Sequence, residues 1–407
     1  MKIRLCLLLA AALAAAIQTA FAADANLAKL AAANNTFAFN LLKELNTENP
    51  AGNLFISPYS AATALQMVAN GAGGATKLEM QKVLQTAVLS ADTINAASKA
   101  AADLLNAADT NIILTTANAL WYRQSAHLKD SFLAANQKYF SSTIKPLDFS
   151  NVPAAENEIN QWASDQTHGR ITGIANGMID PLYTDLILAN AIYFKGKWLD
   201  PFDKNLTKER PFHPAAGAPK NLPMMEMSKT FTYRRGTGYQ AVRLPYLGGD
   251  LAMYVFLPDA GSSPAQLLHL MNGDRWRKVT VPGFGESNGL VVLPKFRIEN
   301  TFDFVPTLIR LGMRSPFNKF KMSPDADFSG MFEDGHFISN VRQKTFVDVA
   351  EEGTEAAAVT EVGMGAGGIP ELNPPKPFEM IVDRPFLFAI VDARSEMILF
   401  MGVVNDL

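Results

Sequence analysis

The sequence lacks most of the residues that common enzyme classes require. Its 407 residues include one cysteine and only five histidines, which are scattered along the chain. No HExxH pair is present to place two histidines on one helix face for zinc. No GxSxG nucleophile elbow occurs, and no Walker lysine follows a glycine loop. We therefore expect neither a zinc hydrolase nor an α/β-hydrolase nor a P-loop nucleotidase, and we expect no enzyme.

One glycine motif does match a nucleotide-binding pattern. Gly363, Gly365 and Gly368 satisfy GxGxxG. A dinucleotide site needs a helix directly after these glycines, because the helix N-terminus holds the pyrophosphate. Residues 369–375 contain three prolines and cannot begin a helix of useful length. The glycines are therefore typical of a flexible loop, and we expect neither a cofactor nor a metal.

The N-terminal residues have the pattern of a secretory signal. Lys2 and Arg4 precede an apolar run over 5–17, and small residues at Ala20 and Ala22 follow. This arrangement predicts a signal peptide over residues 1–22. The apolar run is short for a bilayer-spanning helix. We expect residues 23–407 to be secreted or periplasmic, with no membrane anchor after signal removal.

Signal removal would also take away Cys6, which lies in the apolar run. The exported chain would then fold without a disulfide in an oxidising compartment, so its stability must come from a large core. The composition allows this, with 48% hydrophobic and 18% charged residues. The formal charge is −3, and it becomes more negative when the two basic residues of the signal are lost. Nucleic acid is therefore not an expected partner.

The order of predicted elements favours a single α+β domain. Helices dominate the first part of the chain, and strands follow without a regular βαβ alternation. The motif Thr76-x-x-Glu79 resembles a capping box, and Gly248-Gly249 predicts a hairpin turn. The predicted helices cover 24–46, a segment starting at 57–58, a segment starting at 76, and 91–108. The predicted strands cover 111–122, 186–194, 241–246, 251–257, 290–298, 378–382, 386–392 and 397–404.

The segment 351–368 combines strand and loop properties. If it is extended, small and mostly apolar side chains from Thr354 onward lie on one face, and Glu355 and Glu361 lie on the other. The segment then ends in glycines and a proline-rich run, which are typical of loops. Composition alone favours an alanine-rich exposed loop or a short helix.

A resemblance to a known family changes this interpretation. The motif over 351–358, Glu-Glu-Gly-Thr-Glu-Ala-Ala-Ala, closely resembles the proximal hinge of inhibitory serpins. Further motifs of that family occur in the family's order, and together they cover essentially all of the chain after the signal. On these motifs the chain is identified as resembling a bacterial inhibitory serpin. The further motifs lie at 53–60, 190–198, 293–296, 328–331, 383–388 and 400–402.

The resemblance implies a fold and a mechanism. Serpins have three β-sheets, about nine helices and an exposed reactive-centre loop, here over about 354–376. A target protease attacks the loop and forms an acyl-enzyme, after which the cut loop enters the main sheet as a strand. The resemblance thus implies an irreversible suicide-substrate inhibitor of serine endopeptidases. The alternative is a non-inhibitory serpin acting as a binding or chaperone protein, but such relatives usually have bulky or charged hinge residues.

The family's functional residues map onto three groups in this sequence. The hinge comprises Glu351, Glu352, Gly353, Thr354, Glu355, Ala356, Ala357 and Ala358. The shutter, where strands of the main sheet part, comprises Ser57, Ser60, Asn190 and Gln343. The breach, at the top of that sheet, comprises Trp198, Lys295 and Glu351. The family often has histidine at the position of Gln343, and this departure leaves the shutter hydrogen bonding open. Without the resemblance, the same residues would be read as ordinary core and turn packing.

The family's spacing also suggests which bond is attacked. Counting forward from Glu351 places the bond between Gly367 and Gly368, whereas counting back from Pro385 reaches about Pro374. The loop therefore carries an insertion, and we prefer the forward count because strand insertion sets that length. The alternative positions are Ala366, Met364 and Ile369.

The small residues at this bond indicate the class of partner. A small uncharged side chain argues against trypsin-like proteases, whose specificity pocket carries an aspartate. We expect an elastase-like or subtilisin-like serine protease, with a papain-like cysteine protease as a further candidate. Residues 89–109 contain no Lys/Arg cluster, so we expect no heparin-type cofactor. We expect a monomer.

Overall fold

A computed structural model describes residues 2–107, 112–317, 325–355 and 376–407. Nine α-helices occur in these ranges: α1 (Lys2–Glu48), α2 (Pro58–Ala69), α3 (Gly74–Val83), α4 (Ala91–Asn106), α5 (Asp130–Tyr139), α6 (Val152–Gln166), α7 (Pro264–Leu270), α8 (Gly273–Arg275) and α9 (Val305–Arg310).

The same ranges contain fifteen strands, which confirm the predicted α+β class. They are β1 (Leu54–Ile56), β2 (Ile112–Arg123), β3 (Thr143–Leu147), β4 (Leu186–Lys197), β5 (Lys208–Phe212), β6 (Lys220–Gly236), β7 (Tyr239–Pro245), β8 (Leu251–Pro258), β9 (Gly285–Pro294), β10 (Phe296–Asp303), β11 (Ile338–Ala350), β12 (Gly353–Thr354), β13 (Phe378–Ile381), β14 (Phe386–Asp392) and β15 (Met397–Val404).

The main sheet has six strands in the order β10-β11-β12-β4-β2-β3. β2 and β4 form a long antiparallel pair, and β11 runs parallel to β4 on its other side. α2 packs on one face of this sheet, where Leu120, Leu188 and Val341 are buried. α6 packs on the opposite face, over the alanines of β2 and β4. The sheet is therefore enclosed between two helices.

The remaining strands form one sheet of nine strands, in the order β1-β15-β14-β8-β7-β6-β9-β13 with β5 beside β6. Three sheets were expected, whereas the described part of the chain forms two hydrogen-bonded sheets. The reason is β6, which has 17 residues. Its first part pairs with β5 and β9, and its last part pairs with β7. One continuous strand thus joins β5, β7 and β9 into a single sheet.

The start of α2 follows the local sequence. Ser57 caps the helix by accepting the backbone N–H of Ser60, and Pro58 occupies the first turn. Proline is well tolerated there because its missing N–H has no helical partner in any case. The helix is buried along most of its length. Its N-terminal turn is therefore held at a fixed place beneath the main sheet.

The predicted capping box at Thr76 and Glu79 is wrong. α3 begins two residues earlier, at Gly74. The Thr76 hydroxyl accepts the N–H of Asp327 at 2.9 Å, and the Glu79 carboxylate accepts the N–H of Ser315 at 2.6 Å. The two polar side chains satisfy backbone groups of a distant segment, so they are not available to cap their own helix.

The single strand predicted over 290–298 is in fact two strands. β9 ends at Pro294 and belongs to the nine-stranded sheet, whereas β10 begins at Phe296 and belongs to the main sheet. Proline has no N–H for a ladder and is therefore favoured where a strand ends. Only Lys295 separates the two strands, so the chain passes from one sheet to the other within one residue.

The space between the sheets is filled by aromatic side chains. Phe55 of β1 is fully buried and stacks on Phe388 and Phe400, with ring centroids 5.6 and 5.3 Å apart. Phe296 of β10 also contacts Phe388, at 5.3 Å. These rings connect β1, β10, β14 and β15 into one core. In the described ranges, no helix is long and apolar enough to cross a membrane.

Candidate functional site

The most distinctive feature of the main sheet is the place where β4 and β11 part. The two strands pair in parallel from Leu186 and Ile338 up to Ile192 and Thr345. Beyond that point β12 lies between them and pairs antiparallel to both. Its two residues, Gly353 and Thr354, come directly after the turn that ends β11. The chain therefore reverses at the end of β11 and begins a new strand in the gap.

Gly353 occupies a position that no other residue could fill. Its φ is +149°, and a Cβ at this position would lie 2.1 Å from the carbonyl oxygen of Gly196. The same Cβ would lie 2.7 Å from the Cα of Lys197. Only glycine allows this approach of two backbones. The glycine predicted in the hinge is therefore needed where the chain enters the sheet.

Thr354 follows and is fully buried. Its hydroxyl lies 2.8 Å from the phenol oxygen of Tyr246. Burial raises the pKa of Tyr246 well above its ordinary value, so the phenol stays neutral and keeps its proton for hydrogen bonding. Tyr246 stacks on Trp198 with ring centroids 4.6 Å apart. The first hinge side chain to enter the sheet thus has a polar partner in an aromatic environment.

Trp198 holds the turn between β11 and β12 in place. Its indole N–H donates to the carbonyl of Ala350 at 3.0 Å, and its backbone N–H donates to the carbonyl of Glu352 at 2.9 Å. Buried backbone carbonyls need such donors. The predicted breach tryptophan therefore lies against both ends of this turn.

The predicted pair of Lys295 and Glu351 also lies at this turn. The Lys295 ammonium is 2.9 Å from the Glu351 carboxylate, which also accepts the hydroxyl of Thr207 at 2.9 Å. Burial alone would raise the pKa of Glu351, but the ammonium and the hydrogen bonds outweigh it and lower the pKa. The neighbouring Glu352 forms a separate ion pair with Lys204 at 2.5 Å. Each glutamate of the turn thus forms an ion pair with a lysine.

The shutter residues meet just below the gap, where β4 and β11 are still paired. Asn190 of β4 and Gln343 of β11 are directly opposite in the register. The Gln343 side-chain N–H donates to the Asn190 side-chain oxygen at 2.6 Å and to the Ser57 carbonyl at 2.9 Å, and its oxygen accepts the Ser57 N–H at 2.9 Å. The Asn190 side-chain N–H donates to the Ser60 hydroxyl. Glutamine therefore makes the contacts that were left open for the usual histidine.

One member of this network was not predicted. Asn118 of β2 accepts a hydrogen bond from the side-chain N–H of Asn190 at 2.6 Å. Asn118 interrupts the apolar run from Ala117 to Trp121, and that polar residue among apolar ones was the available signal. With it the network joins β2, β4, β11 and α2, and its members are all buried.

The other predicted site residues lie outside the described part of the chain. These are Ala356, Ala357 and Ala358 of the hinge, the bond between Gly367 and Gly368, and the alternatives Ala366, Met364 and Ile369. Within the described part, no group of three or more His, Cys, Asp or Glu side chains could hold a metal ion.

Comparison with known proteins decides the family. A family model described as "Serpin (serine protease inhibitor)" matches residues 32–407. The chain belongs to the serpin family. The family model describes inhibitors of proteases and not enzymes, so this serpin is not an enzyme.

The relatives of this serpin come from distant organisms. It is 37% identical to the leukocyte elastase inhibitor of Sus scrofa over 390 residues, covering 93% of this chain and 99% of that protein. It is 34% identical to an uncharacterized serpin-like protein of the archaeon Methanosarcina mazei over 381 residues, covering 92% of this chain and 87% of that protein. The native structure of the thermophilic serpin Tengpin matches with a TM-score of 0.83 at 29% identity, covering 93% and 94% of the two chains.

The Lys295–Glu351 pair predicts a pH-dependent stability. The pKa of Glu351 is lower in the folded protein than the ordinary 4.5, so the pair stabilises the fold above that pH and is lost as the pH falls through the folded value. We expect Lys295→Met to lower the free energy of unfolding by about 1 kcal/mol at pH 7, because the lysine is partly exposed. Urea denaturation across pH 3–7 measures this.

The difference between variant and wild type should shrink as the pH falls below 4.5. Lys204→Met is the control, since its pair with Glu352 is more exposed and should matter less. A difference of equal size at both ends of the pH range would contradict the assignment.

The shutter network predicts a cost for removing Gln343. Gln343→Ala leaves the Ser57 N–H and the Asn190 oxygen buried without their partner. We expect the free energy of unfolding to fall by about 2–3 kcal/mol, because unsatisfied buried polar groups lose their full solvation. Urea denaturation measures it, with Gln124→Ala as an exposed control expected to change stability by less than about 0.5 kcal/mol. Equal effects of the two substitutions would show that the network contributes nothing.

Proposed function

We propose that this serpin inhibits serine proteases irreversibly by inserting its reactive-centre loop into the main sheet. The observation that supports this is β12. Gly353 and Thr354 already pair with both β4 and β11, so the strand to be inserted has its register set. Below β12, β4 and β11 run parallel to each other. One strand antiparallel to both can therefore be inserted between them without a change in the direction of either strand.

The hinge side chains suit this path. Thr354 is fully buried on the inward face, and Ala356 and Ala358 would follow it on the same face of an extended strand. Each added backbone hydrogen bond contributes about 0.5–1.5 kcal/mol net. About a dozen such bonds rival the whole stability of a typical domain, about 5–15 kcal/mol. The native state would therefore be metastable.

The chemical step belongs to the target protease. Its serine hydroxyl would attack the carbonyl carbon of Gly367, the C–N bond to Gly368 would break, and the new amine would leave with the serine's proton. The remaining ester joins inhibitor and protease. Insertion of the loop would then carry the attached protease across the molecule and distort its active site, so that the ester is not hydrolysed. The neighbouring candidates Ala366, Met364 and Ile369 would undergo the same step.

The proposed targets are elastase-like or subtilisin-like proteases. The small uncharged residues at the proposed bond support them, and so does the likeness to leukocyte elastase inhibitors of pig, cattle and human at 35–38% identity.

We also propose that the protein is bacterial, that residues 1–22 are a signal peptide and that residues 23–407 act outside the cytoplasm as a monomer. The family model begins at residue 32 and so leaves the proposed signal outside the domain.

A test of inhibition uses denaturing gels. We expect purified protein mixed with elastase or subtilisin to give a covalent band at the summed mass, and trypsin to give none. A papain-like protease is run in parallel. Mass spectrometry of the released C-terminal peptide then identifies the cut bond. Cleavage without any covalent band would instead support the non-inhibitory alternative.

Thr354→Arg is expected to convert the inhibitor into a substrate. The position is fully buried beside Tyr246, and an unpaired guanidinium there would cost several kcal/mol. Insertion would stall, so cleaved protein should accumulate at the expense of complex. Thr354→Ser keeps the hydroxyl and is the control, expected to inhibit like wild type. Full inhibition by the arginine variant would rule out insertion at this position.

Export is tested by N-terminal sequencing. If the signal is removed as proposed, protein recovered from the periplasm or the medium of a bacterial host should begin at Ala23. Protein that keeps residues 1–22 in the cytoplasmic fraction would refute this part of the proposal.

A further inference from the structure

β12 ends after two residues because the next residue turns the chain. The N–H of Glu355 still donates to the carbonyl of Asp348 at 2.7 Å, which continues the antiparallel register. The φ of Glu355, however, is +53°. An L-residue with a side chain is strained in this left-handed region. The backbone is thus set to enter the gap, and its conformation stops it there.

An ion pair accompanies this conformation. The Glu355 carboxylate lies 2.5 Å from the Nε of Arg170, and the glutamate side chain is only 9% exposed. A buried carboxylate needs such a partner. Tyr193 of β4 lies beside the pair: burial, and then the charge of Glu355, raise the pKa of its phenol. The paired carboxylate therefore favours the strained backbone that places it there.

Arg170 belongs to a short segment that crosses the gap. We call residues 167–172, which follow α6, the strap. The ring of His168 packs edge-on against Tyr193 of β4, with centroids 6.1 Å apart. The Lys344 ammonium of β11 donates to the carbonyl of Thr172 at 2.7 Å. The strap therefore contacts both strands that must separate, immediately beside the end of β12.

We propose that Arg170 and Glu355 are positioning residues that arrest the hinge after Thr354, and that release of their ion pair sets the rate of loop insertion. Further insertion requires Glu355 to become extended, which relieves its backbone strain and removes its carboxylate from the arrested position. The ion pair opposes this step and the strain favours it. This inference rests on the proposed inhibitory function, since it assigns the control of that same insertion.

Two substitutions of Glu355 separate the ion pair from the strain. Glu355→Ala loses the ion pair and keeps the left-handed penalty, so the arrested state is destabilised and trapping should accelerate. Glu355→Gly also loses the pair, but glycine adopts the left-handed conformation freely and is a poor strand residue. We expect the alanine variant to form covalent complex about five to tenfold faster than the glycine variant.

The partner residue supplies a second comparison. Arg170→Gln and Glu355→Gln should each accelerate trapping, and the double variant should be no faster than either single one, because both remove the same interaction. Lys99→Gln is the matched control. It breaks an exposed ion pair to Asp103 within α4, away from the hinge, so the trapping rate should stay at the wild-type value.

Rates of complex formation are compared with melting temperatures. A purely structural pair would lower the melting temperature of the variants and leave the trapping rates equal, and that result would overturn the inference. Equal rates for Glu355→Ala and Glu355→Gly would overturn it as well. In either case a covalent complex of the wild type would leave the proposed function standing.

If the wild type traps no protease, the proposed function fails and the arrest is measured by hydrogen exchange. The reporter is the Glu355 amide, which donates to Asp348. With an arrest, peptides over 353–358 should exchange more slowly in Glu355→Ala than in wild type, because the hinge advances, and no more slowly in Glu355→Gly. Identical exchange in all three proteins would refute the arrest.

Discussion

The site depends on a parallel pair of strands that is bonded along part of its length and separated along the rest. Where β4 and β11 are bonded, each satisfies the backbone groups of the other. Where they part, β12 takes over both edges. Buried backbone groups must be paired in either state. A strand can therefore advance into the gap only by exchanging hydrogen bonds one residue at a time, starting from the place where β12 ends.

This constraint explains why polar side chains lie along the gap. Gln343 and Asn190 reach across the two strands just below the point of separation, and Tyr246 receives Thr354 above it. Hydrogen bonds fix the register of the strands more specifically than apolar contacts do, and their partners can be replaced without leaving a cavity. The two strands are thus held together by hydrogen bonds, each of which depends strongly on direction and contributes only a modest free energy.

Local patterns in the sequence predicted the parts of the fold that have local causes. Ser57-Pro58 placed the start of α2 because capping involves neighbouring residues only. The capping box predicted at Thr76 was wrong because Thr76 and Glu79 bind segments more than two hundred residues away. β11 was not predicted because its outward face carries Arg342, Lys344 and Asp348, a pattern that resembles an exposed loop.

The family motifs predicted which residues form the site. They did not predict which of these residues contact one another. The pairing of Gln343 with Asn190 depends on the register of two distant strands, as does the role of Asn118. The contact of Arg170 with Glu355 has no counterpart in any local pattern, since it requires both the path of the strap and a left-handed residue at the end of β12.

The crossing at Lys295 determines which part of the molecule would move when the gap widens. Admitting a full strand displaces β10 and β11 together from β4 by one strand spacing, about 4.8 Å. β10 continues from β9 of the nine-stranded sheet through the single residue Lys295, and further along β10 the Asn300 side chain accepts the backbone N–H of Phe55 in β1. The Lys295 ammonium that pairs with Glu351 lies at the crossing, where such a displacement would be smallest, whereas the hydrogen bond at Asn300 would have to be exchanged as the strands separate.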